Sequence, residues 1–137
     1  MMISTKGRYA IRALSELGKY KEDEFVSLKV ISEKQDISRK YLESIMLVLV
    51  QNGLVKAVSG KNGGYSLARR PKEISLMDIL KVTEGGLQPV SCVVDEGHSC
   101  VRSSECHTFP IWKGLYDVIS DYLENKTLED VMEKQDE

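Results

Sequence analysis

The chain has 137 residues, of which 42% are hydrophobic, so it is long and apolar enough for one compact domain with a buried core. No apolar run approaches the roughly 20 residues of a membrane-spanning helix, and the start lacks the apolar segment of a signal peptide, which predicts a cytoplasmic protein. The net charge is +7 over residues 1–72 and −9 over residues 73–137, as expected for a polyanion-binding part joined to a regulatory part.

The basic half begins with three predicted helices. Residues 5–21 place apolar side chains at spacings of three and four, which is typical of an amphipathic helix. Ser27 can cap a short second helix over residues 28–34, and Ser38 can cap a third after a tight turn. Gly53 is placed to end the third helix, because glycine adopts the left-handed conformation without strain.

Beyond the third helix the pattern changes from helical to alternating. Residues 54–59 and 65–68 predict the two strands of a β-hairpin, with a flexible, glycine-rich tip over residues 60–64 between them. The order of helix, short helix, tight turn, capped helix and hairpin is that of a winged helix-turn-helix. We therefore predict a mostly α fold with a small β-hairpin.

The acidic half is predicted to hold two longer helices separated by an irregular loop. Ser75 opens the first with a capping-box pattern, and the helix runs to about Glu84. Residues 87–109 show no periodicity. Pro110 suits the start of the next helix, which extends to about Glu124, and a short last helix follows.

This architecture predicts how the basic half would meet DNA. In a helix-turn-helix the second helix enters the major groove with polar side chains near its N-terminus. Arg39 and Lys40 can contact phosphates or guanine edges, and Glu43 can accept a hydrogen bond from cytosine. Each feature alone also fits a solvated surface or an ordinary turn, but together they predict DNA binding. The expected contacts are Ser27, Ser38, Arg39, Lys40, Glu43, Lys61 and Asn62.

All three cysteines lie in the irregular loop, as Cys92-x7-Cys100-x5-Cys106. An odd number without an export signal argues against a disulfide framework. Thiolates bind zinc and iron–sulfur clusters, although zinc sites more often contain closely spaced cysteine pairs. The spacing alone leaves zinc, a cluster and reactive or incidental thiols open.

The chain resembles the family of bacterial winged-helix transcription regulators that includes IscR and NsrR. The resemblance rests on five segments in family order: Ser4–Ala10, Ser38–Glu43, Asn52–Val55, Gly63–Ala68 and Ile74–Ile79. It implies a homodimer that represses or activates genes, with the repressor role expected here. By position, it implies that Tyr41, Glu43 and the Gly63 region of the wing contact DNA.

One departure from the family concerns the wing. In the cluster-assembly repressors of the family an Arg precedes the first glycine of the wing and enters the minor groove. Ser59 stands at that place here, and Lys61 at the tip is the candidate replacement. The resemblance therefore does not define the operator sequence.

The resemblance also implies an iron–sulfur cluster on Cys92, Cys100 and Cys106, of the 2Fe-2S type with 4Fe-4S as the alternative. Cluster-assembly repressors carry a fourth ligand, a His, where Phe109 stands here, so His107 becomes the candidate fourth ligand and His98 a second option. Other members recruit a carboxylate from the partner's first helix. The matching places here are Arg8 and Arg12, which leaves Glu16 as a distant option.

The last long helix has an apolar stripe wider than a small domain needs: Ile111, Leu115, Val118, Ile119 and Tyr122. We predict that it forms a homodimer, which would set two recognition helices roughly 34–36 Å apart for a palindromic site; an ordinary core helix is the alternative.

The predicted division is DNA binding by 1–72 and regulation by 73–137, with a cluster-binding loop at about 87–109 and a dimerisation helix at about 110–125.

Two other functions are compatible with parts of the sequence. The first is a regulator of the same fold without a cluster, controlled by zinc, thiol oxidation or a partner protein. The second is an enzyme with Cys106 as nucleophile and His107 as base, but adjacent residues rarely aim at a shared point. We therefore expect no enzymatic activity.

Overall fold

The computed structural model describes residues 3–90, 93–94, 97–98 and 107–135. Within these ranges the chain forms helices, one 3-10 turn and two small antiparallel sheets. None of the described helices has both the length and the apolar character needed to cross a membrane. The elements are α1 (Thr5–Leu17), α2 (Leu28–Gln35), α3 (Arg39–Gln51), β1 (Val55–Val58), β2 (Gly64–Leu67), the 3-10 turn Pro71–Glu73, α4 (Leu76–Glu84), β3 (Val93–Val94), β4 (Gly97–His98), α5 (Phe109–Glu124) and α6 (Leu128–Gln135).

Four helices begin with the same local device, a serine whose side chain accepts a hydrogen bond from a backbone N–H in the first turn. The capping serines are Ser4, Ser27, Ser38 and Ser75. At α4 the cap is reciprocal, because Asp78 accepts from the Ser75 N–H at 3.0 Å while Ser75 accepts from the Asp78 N–H at 3.0 Å. Each cap satisfies a backbone donor that the helix itself cannot satisfy.

The main hydrophobic core joins both halves of the chain. Side chains of α1, α2 and α3 are buried together with Ile74, Ile79 and Leu128, all three inaccessible to solvent. The Leu128 N–H donates to the Ile74 carbonyl at 2.9 Å, and the Leu76 N–H donates to the Lys126 carbonyl at 2.8 Å. The last helix therefore returns to the first half of the chain and completes its core.

Two elements differ from the sequence prediction. Helix α1 ends at Leu17 rather than near residue 21, because the N–H groups of Lys19 and Tyr20 turn to carbonyls three residues back. The loop after α4, expected to be irregular, contains the β3–β4 pair in the register Val93 with His98. Val93 is fully buried against Phe109 and Tyr116 of α5, and this small apolar cluster anchors the pair.

Candidate nucleic-acid interface

The exposed face of α3 carries the charged residues expected to meet DNA. Ser38 caps the helix, accepting from the Tyr41 N–H at 3.3 Å, and it is exposed together with Arg39, Lys40 and Glu43. The opposite face of α3 is buried in the main core. The core therefore fixes the helix with its N-terminal polar residues outward, as a recognition helix requires.

Tyr41 has a second role beside any DNA contact, because it ties α3 to α1. Its ring meets the Tyr9 ring edge-on at a centroid distance of 5.8 Å. The Arg12 guanidinium lies 5.1 Å from the Tyr9 centroid and donates to Gln35, at the side-chain oxygen at 3.2 Å and at the main-chain carbonyl. These contacts join the first helix to both helices of the helix-turn-helix.

The wing is held against the start of α2. Strands β1 and β2 pair antiparallel with Val58 opposite Gly64, and Lys61 and Asn62 are exposed at the tip. Beyond the hairpin, Val26 and Tyr65 exchange two backbone hydrogen bonds of 2.8 Å each. This bridge sets the wing beside the N-terminus of α2.

Two surface grooves are lined by several of the residues that the sequence predicts to contact DNA. One is lined by Ser27, Lys61, Asn62 and Gly63, between α2 and the wing tip. The other has a volume of about 370 Å³ and lies between α3 and the wing. Its lining is Lys40, Glu43, Ser44, Leu47, Val50, Ala57 and Tyr65. Six of the predicted contacts thus line these two grooves, whereas Ser38, Arg39 and Tyr41 line neither.

Tyr65 forms the wing side of the second groove. Burial raises the pKa of its phenol above the ordinary value of 10.0, and the Glu43 carboxylate raises the pKa further. Both effects disfavour the phenolate, so the hydroxyl stays protonated at neutral pH and can donate a hydrogen bond. From the sequence, Tyr65 was predicted only to lie on a strand, since its proximity to Glu43 depends on the packing of the wing on α3.

Gly64→Ala is expected to lower the free energy of unfolding by about 3–4 kcal/mol, from backbone strain and crowding together. The Gly64 φ angle is +152°, and a methyl group there would lie 2.4 Å from the Val26 carbonyl oxygen. The substitution should therefore separate the wing from α2 and weaken DNA binding as well. Urea unfolding followed by circular dichroism measures the cost.

Gly53→Ala is the matched control, because its φ of +75° is also left-handed while nothing lies within 4 Å of the added methyl. It should cost only about 1–2 kcal/mol, the strain alone. Equal costs for the two variants would show that the wing does not depend on the close approach of Gly64 to Val26.

The cysteine predictions fall outside the described residues. Cys92, Cys100 and Cys106 are not among them, and for His98 the structure describes the backbone of β4 only. His107 is exposed, two positions before α5 begins. In the described ranges no three His, Cys, Asp or Glu residues are grouped so that they could hold a metal ion.

Glu16 is engaged within its own chain. Its side chain is buried, with the residue only 2% exposed, and its carboxylate accepts hydrogen bonds from Gln35 at 2.9 Å and Lys19 at 3.4 Å. These contacts link α1 and α2. They do not favour the distant option of Glu16 as a ligand for a partner's cluster, which stays a prediction.

Helix α5 has one buried and one exposed apolar face. Phe109 and Tyr116 pack on Val93, whereas the large apolar residues Ile111, Leu115, Val118 and Tyr122 are exposed. Ile119 lies between the two faces and is half-buried. The stripe seen in the sequence is thus mostly uncovered in a single chain.

Comparisons with known proteins give one consistent result. Residues 3–134 match a family described as Rrf2, iron-dependent transcriptional regulator. The regulator IscR of Pectobacterium carotovorum is 34% identical over 136 residues, covering 99% of this chain and 82% of that protein. CymR, the global cysteine regulator of B. subtilis, superimposes with a TM-score of 0.78 at 34% identity, covering 98% of each chain. T. potens IscR superimposes with a TM-score of 0.73 at 36% identity, covering 98% of this chain and 88% of the other.

Proposed function

The chain belongs to the Rrf2 family of transcriptional regulators, and from this membership we propose that it is a cytoplasmic homodimer whose affinity for a palindromic DNA operator is set by an iron–sulfur cluster. The family is one of DNA-binding regulators rather than enzymes, so the chain is a regulator and not an enzyme. The winged-helix fold and the family resemblance inferred from the sequence are confirmed. We further propose that it represses its targets.

The observation that carries the proposal is the common surface of α2, α3 and the wing. Arg39 and Lys40 are exposed at the capped start of α3, and Lys61 is exposed at the wing tip. Exposed cations on α3 and on the wing can each neutralise phosphates of the DNA backbone. These contacts provide the salt-dependent part of DNA binding. Ser27, Ser38, Tyr41, Glu43, Asn62 and Gly63 complete the proposed contact set.

The donor set of the loop fits an iron–sulfur cluster. Cys92, Cys100 and Cys106 offer three thiolates, and His107, exposed before α5, offers an imidazole as the fourth ligand. Thiolates with imidazole are established ligands of such clusters, and a cluster supplies a redox-sensitive link between distant parts of the loop.

Helix α1 provides a physical route from the loop to the recognition helix. The Ser4 N–H and hydroxyl both donate to one oxygen of Glu84, at 2.8 and 2.9 Å, and Glu84 is the last residue of α4 before the loop. Further along α1, the Tyr9 ring packs on the Tyr41 ring of α3. A change in the loop that moves Glu84 would therefore be transmitted through α1 to α3.

The exposed stripe of α5 supports the homodimer. Ile111, Leu115, Val118 and Tyr122 recur at spacings of four, three and four and are exposed in a single chain. Four large apolar side chains in one exposed row are unusual on a monomer, and a two-fold partner would bury them. The resulting unit would place two α3 helices for the two halves of a palindrome.

Val118→Glu is expected to raise the dimer dissociation constant by about a hundredfold or more, because each dimer would bury two unpaired charges in an apolar seam. Val118 is 67% exposed in one chain, so the monomer fold should tolerate the change. It is therefore a sharper test than Ile119→Glu, which would also disturb a half-buried position. Sedimentation equilibrium measures the constant.

Glu124→Lys is the control for Val118→Glu. It lies on α5 at an exposed position outside the stripe and alters the charge by two units, yet it should leave the dimer intact. A wild-type protein that sediments as a monomer both free and on DNA would contradict the proposed assembly.

One experiment tests the proposed function as a whole. Protein purified without oxygen is used to select duplexes from a randomised pool, and its affinity for the selected duplex is measured before and after removal of iron with a chelator. We expect coloured protein that contains iron and sulfide, an enriched palindrome, and at least a tenfold change in affinity on iron removal. An unchanged affinity would contradict control by a cluster.

The structural similarity to CymR favours one second candidate, a regulator of the same fold that works without a cluster through its thiols. Under this alternative the protein is colourless after anaerobic reconstitution, and its DNA affinity responds to thiol oxidation or to zinc. The absorbance of the purified protein in the visible range separates the two functions, since zinc and thiols do not absorb there.

A further inference from the structure

A leucine is exposed on the face of α3 that carries the polar residues assigned to DNA. Leu47 is 57% exposed, although most apolar residues of α3 are buried or half-buried. It lines the groove between α3 and the wing together with Lys40, Glu43 and Ser44. One exposed leucine is ordinary on a protein surface, but this one shares a surface with the residues that would meet DNA.

The four residues form a single row on the helix. Lys40, Glu43, Ser44 and Leu47 occupy positions i, i+3, i+4 and i+7, which lie above one another on one face. Homeodomains contact the major groove from their third helix with this same spacing. Leu47 therefore extends the DNA-facing row of α3 by one turn. From this position its side chain can contact base edges in the major groove of DNA.

The chemistry of the major groove leaves one natural partner for such a side chain. Base edges there present hydrogen-bond donors and acceptors, and the apolar group among them is the C5 methyl of thymine. The Leu47 side chain offers no donor or acceptor, so it gains nothing from a guanine or adenine edge. Burial of a methyl group against it is favourable by the hydrophobic effect.

We propose, building on the proposed DNA-binding function, that Leu47 is a specificity-determining residue that reads the C5 methyl of one thymine in each operator half-site. The occupant of the groove beside Leu47 is thus DNA, and the surface is continuous with the recognition face of α3. Val50 and Ala57 line the same groove as Leu47 and add apolar surface to it.

The test replaces thymine by uracil, which differs only by the missing methyl group. A duplex selected by the wild-type protein is synthesised with uracil at each thymine in turn, and affinities are measured by fluorescence anisotropy. We expect one position per half-site at which wild-type affinity falls about fourfold, the equivalent of one buried methyl group. Leu47→Ala should bind the unmodified duplex more weakly and show no loss at that position.

Val58→Ala is the matched control. Val58 is 48% exposed and apolar like Leu47, but it lies on the wing, which is expected in the minor groove, where no methyl group is displayed. Its uracil profile should equal that of the wild type. Because both side chains are exposed, neither variant should unfold, and circular dichroism confirms this.

The outcomes separate the inference from the function on which it rests. If the wild-type protein selects no sequence, the proposed function fails and the reading of thymine fails with it. If it selects a sequence but wild type and Leu47→Ala give the same uracil profile, only the role of Leu47 is overturned. A profile that Leu47→Ala changes and Val58→Ala does not change establishes it.

Discussion

Replacing Arg39 and Lys40 together by alanine should lower DNA affinity by about a hundredfold or more at physiological salt. Both side chains are exposed at the capped N-terminus of α3, where a recognition helix meets phosphates and base edges. The proposed dimer loses four cations, and each lost phosphate contact removes about one unit from the dependence of log affinity on log salt. Titrations at several salt concentrations measure both quantities.

A charge-matched control separates a contact effect from a change in net charge. Lys72 and Lys81 are exposed but lie outside the helix pair and the wing. Replacing both by alanine removes the same charge and should change affinity by less than about threefold, since exposed charges beyond a Debye length are largely screened. Equal losses for the two double variants would mean that α3 does not enter the groove in the proposed way.

Local features of the fold were predictable because their causes lie within a few residues. Ser27, Ser38 and Ser75 cap helices through hydrogen bonds from residues three positions later, and the structure contains all three. Gly53 ends α3 with a φ of +75°, a conformation that few other residues adopt. These local signals can be recognised from the sequence without knowing which residues pack against each helix.

Features that depend on distant contacts were not predictable. The burial of Glu16 is set by Gln35, 19 positions away, so its sequence position suggested an available carboxylate. Leu128 was expected only as part of a short last helix, yet it is fully buried beside Ile74. The reading role of Leu47 likewise emerges only when the wing is placed beside α3.

The same distant contacts would let the proposed cluster loop act on the DNA-binding surface. Glu84 bonds to the cap of α1, and α1 packs on α3 through Tyr9 and Tyr41. Helix α1 approaches α4 closely at Gly7, where an added methyl group would lie 2.4 Å from the Glu84 carboxylate oxygen. A side chain at position 7 would therefore disturb the contact between α1 and the end of α4.

Cys92→Ala, Cys100→Ala and Cys106→Ala should each abolish the colour and the bound iron and sulfide of protein prepared without oxygen. Each removes one of three thiolates, and the proposed ligand set cannot replace a thiolate. Fold and dimer should persist, because the main core and the exposed stripe of α5 involve none of these residues. Visible absorbance, iron and sulfide analysis and sedimentation measure the three properties.

The DNA affinity of these variants then tests whether the cluster is the switch. They should bind the operator as the iron-depleted wild type does, with an affinity at least about tenfold different from that of the intact protein. Ser103→Ala in the same loop should remain coloured and regulated.

His107→Ala should retain its fold, since the side chain is exposed, and should lose iron faster if the imidazole is the fourth ligand. Colourless wild-type protein that holds zinc after anaerobic reconstitution would refute the cluster and leave DNA binding standing, because the α3 and wing contacts do not depend on the metal.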